Sequence, residues 1–292
     1  MKRYKNPFLI RTFAVLFLII GMPGEMNHPT WGGPMAHASS EWVAGLGYQA
    51  RLIKGSASED GTLMAALEIA LEDGWKTYWR VPGENGIPPV FDFASSSNVG
   101  SIDILWPRPT IFRDSNGLSI GYKERLILPF TIKPEQADAA VDLKLYAFFG
   151  VCAEICVPVD ASLSLTFNKG DGVNNEQRLI DTALSLVPKS GSTGDFDISK
   201  AAFTKGSTAE YVTLDMKLPA GTKDLTILTE GPENWYFDPY RALIEGSATG
   251  VESTKIKIPV YRYVLSDLTG EESIRLTVIL DDKAFDKKLL LN

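Results

Sequence analysis

The stretch "ASLSLTF", residues 161–167, alternates apolar and polar side chains at every position. A period of two puts successive side chains on opposite faces of an extended strand and does not suit the 3.6-residue repeat of a helix. "RLILPFTI" (125–132) and "VDLKLYAFF" (141–149) alternate clearly, and "LMAALEIAL" (63–71) alternates in part. Gly, Pro and Asn turns separate these runs at roughly 8–12-residue spacing, the mark of an all-β sandwich.

One helix interrupts the pattern. In "NEQRLIDTALSLV" (175–187), Leu179, Ala183 and Val187 recur at i, i+4, i+8, flanked by Ile180 and Leu184. Asn174 or Asn175 is expected to cap its start, Pro188 to end it, and "KSGSTG" (189–194) to form a flexible connection. Four further strand-like runs follow at 210–218, 223–230, 253–262 and 273–280. The expected organisation is a leader over 1–38, a sandwich over 39–170, a short helical linker over 171–195 and a second sandwich over 196–292. The second sandwich has no cysteine, histidine or recognisable motif and reads as a packing or docking module.

The leader sets the compartment. Lys2, Arg3, Lys5 and Arg11 precede the apolar run "FAVLFLII" (13–20), and "AHA" (36–38) offers a small-x-small cleavage site. This is the grammar of a secretory signal, and the run is short of the ~20 apolar residues that span a bilayer. Seventeen residues separate it from Ala38, so earlier cleavage, or retention as an anchor, is the alternative. The expected location is periplasmic.

Export has two chemical consequences. Both histidines, His28 and His37, fall in the leader, so the mature chain has none. That removes Ser-His-Asp and Cys-His catalysis and most imidazole metal sites. Without the leader, which holds four basic residues and one acidic, the 29 basic and 36 acidic residues fall to 25 and 35, a net charge of −10. No basic stripe remains for nucleic acid, whose phosphates need clustered Lys and Arg.

The chain's only cysteines, Cys152 and Cys156, stand in "GVCAEICVPVD" (150–160). Three readings compete: structural bridge, metal clamp and redox pair. Closing a five-residue loop restrains the unfolded chain by only ~2 kcal/mol, against ~4.7 for a loop of about a hundred, so a bridge here is a weak staple. Two thiolates suit Cu(I), but the mature sulfurs Met64 and Met216 are far away in sequence. Outside the cytoplasm a disulfide persists or exchanges, which keeps the redox reading open.

Three stretches in order, "DGWKTYWRVPGENGIPP" (73–89), "SIGYKERLILP" (119–129) and "YAFFGVCAEICVPVDASLSL" (146–165), resemble the N-terminal periplasmic domain of DsbD-type thiol:disulfide interchange proteins. The N-terminal region of ScsB-type, suppressor-of-copper-sensitivity proteins is a similar variant. The resemblance implies two immunoglobulin-like β-sandwich domains. It also implies thiol-disulfide exchange through Cys152 and Cys156, with Cys156 meeting partners and Cys152 resolving. Tyr78 corresponds to the family tyrosine near the cysteines, and Tyr122 and Glu124 to its third-strand motif. Phe112, in "PTIFRDSNGLSIGY" (109–122), is the candidate for the aromatic cap that shields the pair, with an ordinary core aromatic as the alternative. The family hairpin is longer between its cysteines than the three residues here.

The implied partners are thioredoxin-like periplasmic proteins and a membrane electron donor. Because the sequence ends at Asn292 without a membrane conduit, the expectation is either that electrons come from another protein or that the chain is a stand-alone branch with an altered job. No cofactor, metal or small-molecule substrate is implied; cytochrome c biogenesis and copper tolerance are the associated processes. Glu154, between the cysteines, disfavours a second negative charge, so thiol pKa values are expected at or above the ordinary ~8.5. Trp75 reads as core and Trp79 as core or partner surface. The alternative is a non-enzymatic binding module, for Cu(I) or a docking partner, with a structural cysteine pair.

Overall fold

A computed structural model describes residues 38–114, 117–168, 171, 175–192, 196–206, 209–243, 252–262 and 272–291. The expected leader, with both histidines, Asn174 and part of the 189–194 connection, lies outside the described residues, apart from Ala38 of that leader. The described chain is all-β with one helix, and its strands form four sheets.

Eleven strands build the first sandwich: β1 (Val43–Gly45), β2 (Tyr48–Ala57), β3 (Leu63–Leu71), β4 (Lys76–Tyr78), β5 (Val90–Asp92), β6 (Ser101–Ile104), β7 (Thr110–Asp114), β8 (Gly117–Lys123), β9 (Arg125–Lys133), β10 (Val141–Cys152) and β11 (Cys156–Phe167). One sheet runs β1-β2-β3-β9-β6 and the other β11-β10-β4-β8-β7, with β5 against β10. All of these pairings are antiparallel. The alternation of 161–167 does what its period requires. Ala161, Leu163, Leu165 and Phe167 are buried, while the residues between them face water. They meet Leu52, Leu67, Leu128, Phe130, Leu143 and Phe149 in one apolar core. Apolar burial of this kind is the main favourable term in folding.

The helix, α1 (Gln177–Ser185), is shorter than the expected 175–187. Glu176 occupies its N-cap with no side-chain cap bond, so Asn175 does not take the capping part. Its buried face centres on Ile180 and Ala183, because it packs on the outer side of β2 and β3, where Ile53 and Ala66 await it. Ser56 N–H donates to Gln177 Oε1 at 2.7 Å and pins the helix start. α1 forms a roof on the first sandwich.

The second sandwich holds β12 (Lys189–Ser190), β13 (Asp197–Lys205), β14 (Glu210–Leu218), β15 (Asp224–Glu230), β16 (Trp235–Tyr236), β17 (Tyr240–Leu243), β18 (Glu252–Arg262), β19 (Ser273–Leu280) and β20 (Lys283–Leu290). Its sheets are β12-β20-β19-β15-β17 and β13-β14-β18-β16, closed on a core that includes Ile198, Leu214, Ile227, Ile258, Leu276 and Val278. Leu228 of β15 crosses into the core of the first sandwich. Beside it, Arg80 forks onto Glu230 with contacts of 2.7–3.1 Å and reaches Thr277 Oγ1 at 3.3 Å. A bidentate pair of this kind fixes orientation as well as adding energy.

Candidate functional site

The site starts from register. β10 and β11 pair from Val141↔Phe167 to Cys152↔Cys156, so the cysteines are the last rung and Ala153–Glu154–Ile155 is the tip. Directly opposed residues share a face, and the two sulfurs are bonded at 2.09 Å. The two ends of the bridge differ. Cys152 is 0% exposed, whereas Cys156 is exposed on the outer strand. Ile155 beside it is 65% exposed.

β4 lines the other side of β10, and Cys152 stands opposite Lys76. Two residues on, Tyr78 faces the same way, and its phenol donates to Cys156 Sγ at 3.1 Å. Gly150 makes this reach feasible: a Cβ there would lie 2.7 Å from the Tyr78 ring and 2.7 Å from Ile87 Cβ. Burial, and secondarily the Asp114 carboxylate, push the Tyr78 pKa above its ordinary value. The phenol therefore keeps its proton at neutral pH and acts as a donor to sulfur.

Lys76 is 3% exposed. Its ammonium donates to Asp114 Oδ2 at 2.7 Å and Ser119 Oγ at 3.0 Å, and lies 5.7 Å from the Phe112 ring centre. Phe112 shares the outer face of this sheet, on β7, and also carries Lys123 Nζ at 4.9 Å. Its ring thus stands among lysines, with β4 and β8 between its strand and β10 in the sheet order.

Tyr122 lies on the opposite face of β8, inside the core, where its hydroxyl donates to Pro107 O at 2.8 Å. Burial drives its phenol far above the ordinary pKa. Glu124 is an exposed residue with φ of 61°, at the bend into β9. Glu154 is exposed at the hairpin tip. Trp79 is 1% exposed in the core, and Trp75 packs against its edge over Gly47. The fold therefore gathers Cys152, Cys156 and Tyr78, keeps Phe112 on the same face, and sends Tyr122 elsewhere. Lys76, Asp114, Ser119 and Gly150 were not singled out from sequence. The usable signal was a lysine at the start of a buried strand, legible only once the register is known.

Among the described residues, no group of three or more His, Cys, Asp or Glu side chains is placed to hold a metal. The chemistry present is a bridge with one accessible end, a phenol hydrogen-bonded to that end and a buried lysine paired in register with the residue at the other.

Comparison with known proteins places this hairpin. The family model of the N-terminal region of thiol:disulfide interchange protein DsbD matches residues 49–168. The N-terminal periplasmic domain of ScsB from Proteus mirabilis aligns over 87% of this chain and 98% of that one, at 20% identity and a TM-score of 0.64, which shows a shared fold. The adhesin CfaE of enterotoxigenic E. coli aligns at 8% identity over 89% of this chain and 80% of that one, with a TM-score of only 0.15. No curated protein matches the chain. Residues 49–168, cysteine hairpin included, thus match the family model of the DsbD N-terminal domain, a thiol-disulfide interchange module.

Proposed function

We propose that this protein passes reducing equivalents between periplasmic or membrane partners through Cys152 and Cys156. The observation that carries the reading is the asymmetry of the bridge, exposed at Cys156 and buried at Cys152. Exchange proceeds by attack of a thiolate on a disulfide sulfur, along a line that must be open to the attacker. A partner thiolate attacks Cys156 Sγ and forms a mixed disulfide, and the Sγ–Sγ bond breaks with its electron pair leaving on Cys152. The partner's second thiolate then attacks its own sulfur of the mixed disulfide and releases Cys156 as thiolate. The partner dithiol is oxidised and this dithiol is formed; in reverse, Cys156 attacks and Cys152 resolves.

Thioredoxin-like proteins supply a dithiol suited to both steps, and a membrane donor is the source of electrons. The family resemblance gives Phe112 the part of a shield against unwanted oxidants, although its ring rests on Lys76 and Lys123 here. The signal-like leader and the periplasmic location of the ScsB domain support action outside the cytoplasm. The test is trapping in the periplasm. Cys152→Ala should accumulate reductant-sensitive adducts, because nothing internal clears them, and Cys156→Ala should give few. Equal trapping by both removes the role assignment, and no trapping by either removes exchange.

A further inference from the structure

Resting on the exchange reading above, we propose that Lys76 is the positioning residue that takes up the negative charge of Cys152 when the bridge opens. Attack at the accessible sulfur makes the buried one the leaving group. A thiolate at a 0%-exposed residue has lost most of its hydration, and an unpaired charge in such a place is strongly disfavoured. The leaving sulfur therefore needs a partner of positive charge, and the hairpin tip offers the opposite, Glu154.

The register supplies the cation. Lys76 is the cross-strand partner of Cys152 on the same face, and such pairs carry their Cβ atoms about 4.5–5.5 Å apart. The ammonium is kept among polar groups from two other strands: Asp114 of β7 at 2.7 Å and Ser119 of β8 at 3.0 Å. Lys123, opposite Lys76 on β8, adds a second positive charge, and Tyr78 on the same strand is a neutral donor turned to Cys156. The phenol is already bonded to Cys156, and the ammonium, now held by Asp114 and Ser119, would turn from its cross-strand position to Cys152 when charge appears there. Asp114 opposes this effect, because its carboxylate neutralises part of the lysine charge. Its side chain is 42% exposed, so water screens it more than it screens the 4%-exposed lysine.

An ion pair that merely ties β7 to β4 would satisfy the same contacts, and the sign of two substitutions separates the roles. In the reduced full chain carrying Cys156→Ala, Cys152 is the lone thiol, and its pKa is read from the ultraviolet absorbance of the thiolate. Lys76→Met should raise that pKa by about one unit, a tenfold loss of thiolate at neutral pH. Lys76→Arg should restore most of it, and Asp114→Asn should lower it. A structural tie predicts shifts of the same sign for Lys76→Met and Asp114→Asn, or none, with the circular dichroism spectrum kept. Either result overturns the proposal. If Lys76→Met does not fold, Asp114→Asn alone decides, by whether the pKa falls.

With both cysteines present, reduction by dithiothreitol should slow about tenfold in Lys76→Met. A protein that keeps this dependence but never exchanges with a thioredoxin-like partner would sink the exchange reading and leave the lysine's role standing. One that exchanges with partners without the dependence would do the reverse.

Discussion

Reducing the Cys152–Cys156 bridge should leave the first sandwich folded and lower its stability by about 2 kcal/mol. The bridge closes a sequence separation of 4. In the chain-entropy account a loop that small removes about 7 cal/mol/K from the unfolded ensemble, or ~2 kcal/mol at 25 °C. What holds the hairpin does not depend on it. Val141, Leu143, Leu145, Phe149 and Val151 of β10 are each no more than 2% exposed. A fully buried side chain of this size contributes ~1.5–3 kcal/mol, so the five together outweigh the bridge several-fold. For a domain of this size the expected fall in Tm is about 4–8 °C. Thermal melts followed by tryptophan fluorescence, with and without reductant, check it, and the Cys152→Ala/Cys156→Ala protein should reproduce the reduced curve. Collapse of the sandwich on reduction, or a loss beyond about 5 kcal/mol, would refute the reasoning and make the bridge a staple.

Tyr78→Phe removes the 3.1 Å hydrogen bond to Cys156 while keeping the ring that fills the space over Gly150. Loss of about 1 kcal/mol should slow exchange roughly fivefold and lower Tm by no more than about 2–4 °C, which stopped-flow kinetics and calorimetry read separately. In the second sandwich, hydrogen bonds from Arg262 hold the Glu210 carboxyl below its ordinary value of 4.5. A depressed carboxyl pKa gives stability that is present above the ordinary value and lost as pH falls through the folded one. Urea midpoints should therefore fall below about pH 4.5, and Glu210→Gln should flatten that fall.

The strands were most legible where a single face is buried. In 161–167 the alternation is strict because one side meets the core and the other meets water. "LMAALEIAL" alternates poorly for an equally physical reason. Residues 65–69 are buried on both sides, with the core beneath and α1 above the β2–β3–β9 face. Among them Glu68, 1% exposed, is kept by Arg51 at 2.7 Å. The same hidden second face moved the helix contact from Leu179 to Ile180, since Ile53 and Ala66 give no sign in sequence that they look outward. At the site, the cysteines are visible as a pair in any reading. Lys76 is not, because it lies 76 positions before Cys152 and only the β4–β10 register joins them. Trp79, equally balanced in sequence between core and surface, is settled as core by packing beside Leu228 of the other sandwich.

The central claim is that this bridge is made to be exchanged. Its reduction potential, measured by equilibrating the purified protein in defined thiol-disulfide buffers, tests that most directly. An exposed, exchangeable pair should titrate at a potential above about −300 mV and be fully reduced by a catalytic amount of a thioredoxin-like protein supplied with reductant. A potential below about −300 mV, with no reduction by such a protein, would contradict the account and mark the bridge as structural.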